Sequence, residues 1–154
     1  MMLTFRKTPV AICATVVALA LPTLGVAQER ETIQLPGSLE GLPFSSAVRV
    51  GNMLYLSGQI GLYHGTRTLA EGGVAGETRQ TMENIKQVLE YAGSSLEEVV
   101  KCTLFLADIS YYSEVNEVYS SYFPESPPAR SAVAGSGLAL GARVEIECIA
   151  TVDR

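Results

Sequence analysis

Residues 77–106, ETRQTMENIKQVLEYAGSSLEEVVKCTLFL, change their hydrophobic period half-way, and that change decides the fold class. From Glu77 to Ala92 the apolar residues Met82, Ile85, Val88, Leu89 and Ala92 recur at three- and four-residue steps, with Glu77, Glu83, Lys86 and Glu90 largely elsewhere around the turn. The spacing predicts an amphipathic helix. Gly93 is placed to end it, because glycine enters the left-handed conformation of a helix C-cap without steric cost. Residues 99–106 are β-branched and apolar on both faces, as expected of an inner strand.

Upstream, Ser46–Val50 and Met53–Ser57 are two β-rich runs separated by Gly51-Asn52, a pair suited to a tight hairpin. The Gly-rich loop 61–76 follows, with a short edge strand expected near Thr68–Leu69. Residues 28–41, holding Pro36, Gly37 and Gly41, are expected to run as an irregular lead-in to a single domain over 42–154. Downstream, Val115, Val118, Tyr119 and Tyr122 mark one side of a second helix over about 111–123, stopped by Pro124, Pro127 and Pro128. Two more strands follow, 129–135 and 143–152. The order hairpin, helix, strand, helix, two strands predicts an α+β fold with helices on one face of a mixed sheet.

At the start of the chain, Arg6 and Lys7 precede an uncharged apolar run that reaches Val26, and Gly25-Val26-Ala27 gives way to Gln28-Glu29-Arg30. This is the shape of a secretory signal cut after Ala27, residues 1–27. The stretch between Pro9 and Pro22 is short for the ~20 apolar residues of a membrane span, so no stable membrane anchor is expected. Bulky Ile12 before Cys13 does not suit a lipid attachment. Export to the periplasm or the extracellular space would remove two cations and no acid, taking the formal net charge from -5 to -7. So acidic a body repels phosphate backbones, and no nucleic-acid partner is expected. The remaining Cys102 and Cys148 would meet an oxidising compartment, where one disulfide could form. Both sit in apolar strand-like runs, where cysteine is more often a small buried hydrophobe than half of a bridge. With His64 the sole histidine and no cysteine pair at ligand spacing, the chain offers no material for a zinc site.

The segment PPARSAVAGSGLALGARVEIECIATV, together with FSSAVRVGNMLYLSGQI, TRQTMENIKQVLEYAG and EVNEVYSSYF in the same order, closely resembles the signature blocks of the Rid (reactive intermediate deaminase, YjgF) family from about Leu42 onward. The resemblance implies a chorismate-mutase-like α+β domain and a homotrimer with a ligand site in each cleft between subunits. It also implies hydrolysis of small enamine or imine acids to 2-oxo acids and ammonia, with neither metal nor other cofactor. Arg130, at a strand entrance after Pro127-Pro128-Ala129, would bind the substrate carboxylate, for which the planar fork of a guanidinium is suited. Glu145, fifteen residues on, would orient the attacking water. Asn116 matches a position lining the cleft, and Gly58 would let backbone approach the ligand closely. Two positions depart from well-studied deaminases: Ala132 stands where they have a cysteine, and Phe44 where they have a tyrosine. The missing phenol takes one hydrogen-bond donor from the pocket.

Other constellations carry less. Glu145 and Glu147, at i and i+2 of a strand, point the same way instead of flanking a sugar. Gly135 to Gly141 lacks the strand-to-helix context of a phosphate cradle and reads as a hairpin or loose loop. Ser57, His64 and Asp108 supply triad residue types with no spacing that joins them. The seven tyrosines suggest core and interface packing. Besides a deaminase, the sequence admits a small-carboxylate-binding protein of the same fold, favoured by Phe44 and Ala132, or a holdase-like role.

Overall fold

The computed structural model describes residues 28–152, so the signal-peptide reading of residues 1–27 lies outside the described residues. The strands are β1 (Arg30–Ile33), β2 (Ala47–Val50), β3 (Met53–Leu56), β4 (Gln59–Ile60), β5 (Val99–Leu106), β6 (Ala129–Ala134) and β7 (Val144–Thr151). The helices are α1 (Gly73–Tyr91) and α2 (Tyr112–Ser121). One sheet runs in the order β1-β2-β3-β7-β5-β6, with β4 also on β7. Every pairing is antiparallel except β5 with β6, for which α2 supplies the crossover, so the sheet is mixed. No helix among the described residues is long and apolar enough to cross a membrane.

The core lies between the helices and one sheet face. Met82, Ile85, Val88 and Leu89 of α1 and Val115 and Tyr119 of α2 pack with Cys102, Leu104 and Leu106 of β5 and with Val144, Ile146, Cys148 and Ala150 of β7. The strand alternation read for β7 and the helix period read for α1 are therefore the core pattern. β5 occupies an inner position, but its second face is not buried: Val100 is 48% exposed, because nothing among the described residues covers that side of the sheet.

Four expectations need correction. Residues 28–41 are not wholly irregular, since β1 extends the sheet by pairing with β2. Its four residues are mostly exposed and show no apolar alternation, so the hydrogen-bonding edge of β2 selects the strand rather than its own pattern. Helix α1 begins at Gly73, four residues before the periodic segment. Its first turn is glycine-rich, and a Cβ at Gly76 would stand 1.9 Å from the Glu71 carbonyl oxygen, so the residues that look like helix breakers are what the close turn requires. Glu77 does not face solvent but is 0% exposed, accepting the Arg143 backbone N–H at 2.7 Å and pairing with the Arg143 guanidinium. A carboxylate so buried is tolerable only with such partners, and the pair ties α1 to the start of β7. Finally, Cys102 and Cys148, direct neighbours across β5 and β7, form a disulfide inside the core. Both are buried, as the strand context implied, but bridged.

Residues 135–143 form a loop with one 3-10 turn, Ala139–Gly141, and no hairpin, because β5 lies between β6 and β7. Thr68–Leu69 contributes a single bridge, Leu69 to Leu62.

Candidate functional site

The residues singled out from the sequence fall into two groups on opposite faces of the sheet. Pro127 and Pro128 end the α2 connection and β6 starts at once, with Arg130 in register with Cys102 and on the helix-facing side. Its guanidinium donates from Nη1 to Asn116 Oδ1 at 2.6 Å and from Nη2 to the Tyr112 hydroxyl at 3.0 Å. It also lies over the rings of Tyr119 and Tyr112, 5.0 and 5.6 Å from their centroids. Two of the five N–H donors of the guanidinium are thus engaged, leaving others for an incoming carboxylate.

The electrostatics of the group follow from those contacts. A hydrogen bond from Asn116, and then the Arg130 charge, hold the Tyr112 phenol below its usual range, which makes it a stronger donor. Burial pushes Tyr119 up to about 12 against the opposing effect of Arg130. The Tyr119 hydroxyl is buried without a hydrogen-bond partner among the described residues. Ala132 sits two residues along β6 on the same face, half-buried against the core.

Glu145 belongs to the second group. It alternates with Val144 and Ile146, which face the helices, so its carboxylate projects from the other side of the sheet. There it abuts Gly58: a Cβ on Gly58 would stand 2.0 Å from Glu145 Oε1, so any larger residue would displace the carboxylate. Gly58 interrupts the edge between β3 and β4, and the break is pinned by Ser57, whose N–H and hydroxyl donate to the carbonyls of Ser46 and Ser45. Burial, and then the like charge of Glu147, raise the Glu145 carboxyl above the usual carboxylate range. Glu145, Gly58 and Phe44 line a cavity of about 400 Å³. Asn84 of α1 fixes part of its wall by donating to the carbonyls of Ile60 and Leu62 at 3.0 and 2.9 Å.

Within one chain, Arg130 and Glu145 do not meet. In register, Glu145 is opposite Phe105, which is opposite Val133, three residues from Arg130. Two strand spacings and three residues amount to about 14 Å in the plane of the sheet, before the opposite faces are counted. The triad residue types stay apart as well. The Ser57 hydroxyl is bound to Ser45, His64 Nε2 lies 3.0 Å from the Pro36 carbonyl, and Asp108 accepts from the Ser110 N–H. No group of three residues able to hold a metal ion occurs among the described residues.

Sequence reasoning missed Tyr112 and Tyr119 as partners of Arg130, assigning the tyrosines to packing. The signal was available: Tyr112, Asn116 and Tyr119 stand at i, i+4 and i+7 of α2 and so share one face.

A small mixed-sheet α+β domain, with an arginine cluster suited to a carboxylate and a second carboxylate bordering a cavity at the gap between β3 and β4, is the class that fold and geometry define. The sequence profile described as endoribonuclease L-PSP matches residues 39–152. A human protein named 2-iminobutanoate/2-iminopropanoate deaminase is 42% identical over 119 residues, 77% of this chain and 85% of the relative. The crystal structure of RidA from an Antarctic Psychrobacter superposes with a TM-score of 0.73 at 41% identity, covering 79% of this chain and 99% of that one. The YjgF structure from Escherichia coli gives 0.72 at 33% identity over 79% and 98%. This chain belongs to the Rid/YjgF family, whose profile carries the endoribonuclease L-PSP description.

Proposed function

We propose that the protein is a metal-free deaminase that hydrolyses small 2-imino acids, or the enamines in equilibrium with them, to 2-oxo acids and ammonia. The observation that carries this reading is the pair of complementary half-sites, an arginine with unused donors and a raised-pKa carboxylate beside a glycine gap. The names of relatives such as the human deaminase support it.

In the proposed reaction Arg130 holds the substrate carboxylate, with Asn116 and Tyr112 fixing its fork. Glu145 accepts a proton from a water aimed at C2. The oxygen adds to C2 as the imine nitrogen takes a proton, giving a carbinolamine. Glu145 then passes its proton to the amine as the carbinol hydroxyl loses its own to solvent, and the C–N bond breaks to release ammonia and leave the 2-oxo acid. Positioning dominates, since the uncatalysed hydrolysis already proceeds and a held water supplies most of what remains.

Because the two groups lie on opposite faces, the reading requires Arg130 of one subunit to approach Glu145 of another, as in a homotrimer with its site between subunits. The uncovered sheet face, with Tyr55, Val100 and Val133 exposed, favours such an assembly. Export after cleavage behind Ala27 is part of the same proposal, supported by the leader-like N-terminus and by a disulfide of the kind that oxidising compartments sustain. Outside the cytoplasm, oxidation of amino acids is the class of reaction that would supply the substrate.

Ammonia release from freshly generated imino acids, measured on protein lacking residues 1–27, tests the proposal. Release no faster than the spontaneous rate on any imino acid, with 2-oxo acids still bound, would leave a binding protein instead. Phe44 is the observation favouring that second reading, because it brings no hydroxyl to the cavity.

A further inference from the structure

The cavity at Glu145 is far larger than the methyl group of the smallest 2-imino acid requires. At about 400 Å³ it falls within the ~300–1,000 Å³ of ordinary small-molecule pockets. Its walls include Leu39 and Leu42 of the N-terminal segment, Phe44, Ile60, Leu62 and Leu140. Three of these, Leu42, Phe44 and Leu140, are among the exposed large hydrophobic residues of the chain, at 39%, 55% and 53%. Single exposed apolar residues are ordinary, but several gathered around one concavity mark a surface that awaits an apolar occupant.

Leu140 adds an independent sign. It is the one residue other than glycine with a positive φ among the described residues, 55°, a conformation a bulky side chain seldom adopts. The loop between β6 and β7 holds it there at a conformational cost, and such strain gathers at ligand sites.

We propose that this cavity is the side-chain chamber of the site and selects 2-imino acids with bulky apolar side chains, of the leucine, methionine or phenylalanine type. The inference rests on the deaminase reading above. C2 of an imino acid is planar and carries three substituents. With the carboxylate on Arg130 of the neighbouring subunit and the nitrogen left to solvent or proton donors, the side chain is the substituent that enters the cavity. Glu145 is both a wall of that cavity and the holder of the attacking water, so a side chain seated there places C2 beside the water. Apolar walls favour a hydrocarbon chain over a small or charged one. Arg67 and His64 also line the cavity, which makes an acidic side chain the chemical alternative to be tested.

The experiment compares imino acids generated in place by an amino-acid oxidase from alanine, leucine, phenylalanine and glutamate, on the purified full-length chain, following ammonia. The leucine- and phenylalanine-derived imines are expected to give kcat/KM at least about tenfold above the alanine-derived one, as several buried methylenes imply. Leu140→Gly removes part of the wall and relieves the positive φ, so the ratio falls several-fold without loss of thermal stability. A ratio of one or less, or preference for the glutamate-derived imine, overturns the chamber while leaving the deaminase in place. If no imine is hydrolysed, the deaminase reading fails by itself, and the chamber is read from binding instead. Tighter binding of 4-methyl-2-oxopentanoate than of pyruvate by about tenfold then supports it, and equal or weaker binding overturns it.

Discussion

The Arg130 group is completed by contacts within one chain, whereas the Glu145 cavity is walled on one side and open on the other. Arg130 has two hydrogen-bond partners and two aromatic rings from α2, so its fork is oriented before any ligand arrives. Glu145 has a gap at Gly58, an apolar concavity and a like-charged neighbour, so its environment disfavours its ionised form. A preorganised donor fork suits recognition. A destabilised carboxylate suits proton transfer near neutral pH.

Substitutions can break that contrast. Arg130→Ala is expected to have the largest effect, abolishing both turnover and 2-oxo acid binding, since a charge-assisted fork in a partly desolvated cleft has no substitute. Calorimetric titration checks it, and retained binding would move recognition away from β6. Glu145→Gln should cut kcat by roughly a hundredfold or more while leaving 2-oxo acid affinity nearly intact. The same change should raise the melting temperature at pH 7. The folded carboxyl has a raised pKa, so its contribution to stability is fully present below the unfolded pKa and lost as pH rises through the folded one. Glutamine removes the charge that is unfavourable above that range. A variant that is both slower and less stable would contradict the account of its environment.

Smaller changes sharpen the comparison. Tyr112→Phe should weaken binding of 2-oxo acids by about three- to tenfold with little change in kcat, because it removes the hydroxyl that accepts from Arg130 and orients its fork, at the recognition half only. An unchanged dissociation constant would make Tyr112 a structural neighbour. Glu147→Gln removes the second cause of the Glu145 shift, so the acid limb of the kcat/KM profile should move to lower pH without reaching that of a free carboxylate, since burial remains. A limb that stays in place would mean that burial alone sets the value.

Much of the fold was legible because its period is local. The α1 stripe from Met82 to Leu89 and the β7 alternation from Val144 to Ala150 are written in consecutive residues. What stayed hidden depends on partners distant in sequence. Nothing near Glu77 announces that Arg143, 66 residues away, will reach its buried carboxylate from the surface. β1 exists because the edge of β2 needs a partner, and the Cys102–Cys148 bridge depends on a register no spacing reveals. The site divided in the same way. Arg130 and Glu145 were proposed through family resemblance, yet their placement on opposite faces needed the β5 register. Tyr112 was readable from helical spacing but is one tyrosine among seven.

The disulfide bears on how long the molecule would last in a protease-rich compartment. Cys102 and Cys148 are 46 residues apart, and the segment between them contains α2, β6 and therefore the whole Arg130 group. Closing a loop of that length removes chain entropy from the denatured ensemble worth about 4 kcal/mol. Where digestion proceeds through the globally opened chain, that difference lowers the cleavable population about a thousandfold. The staple thus adds nothing to the chemistry of imine hydrolysis but extends the time over which one folded chain can carry it out.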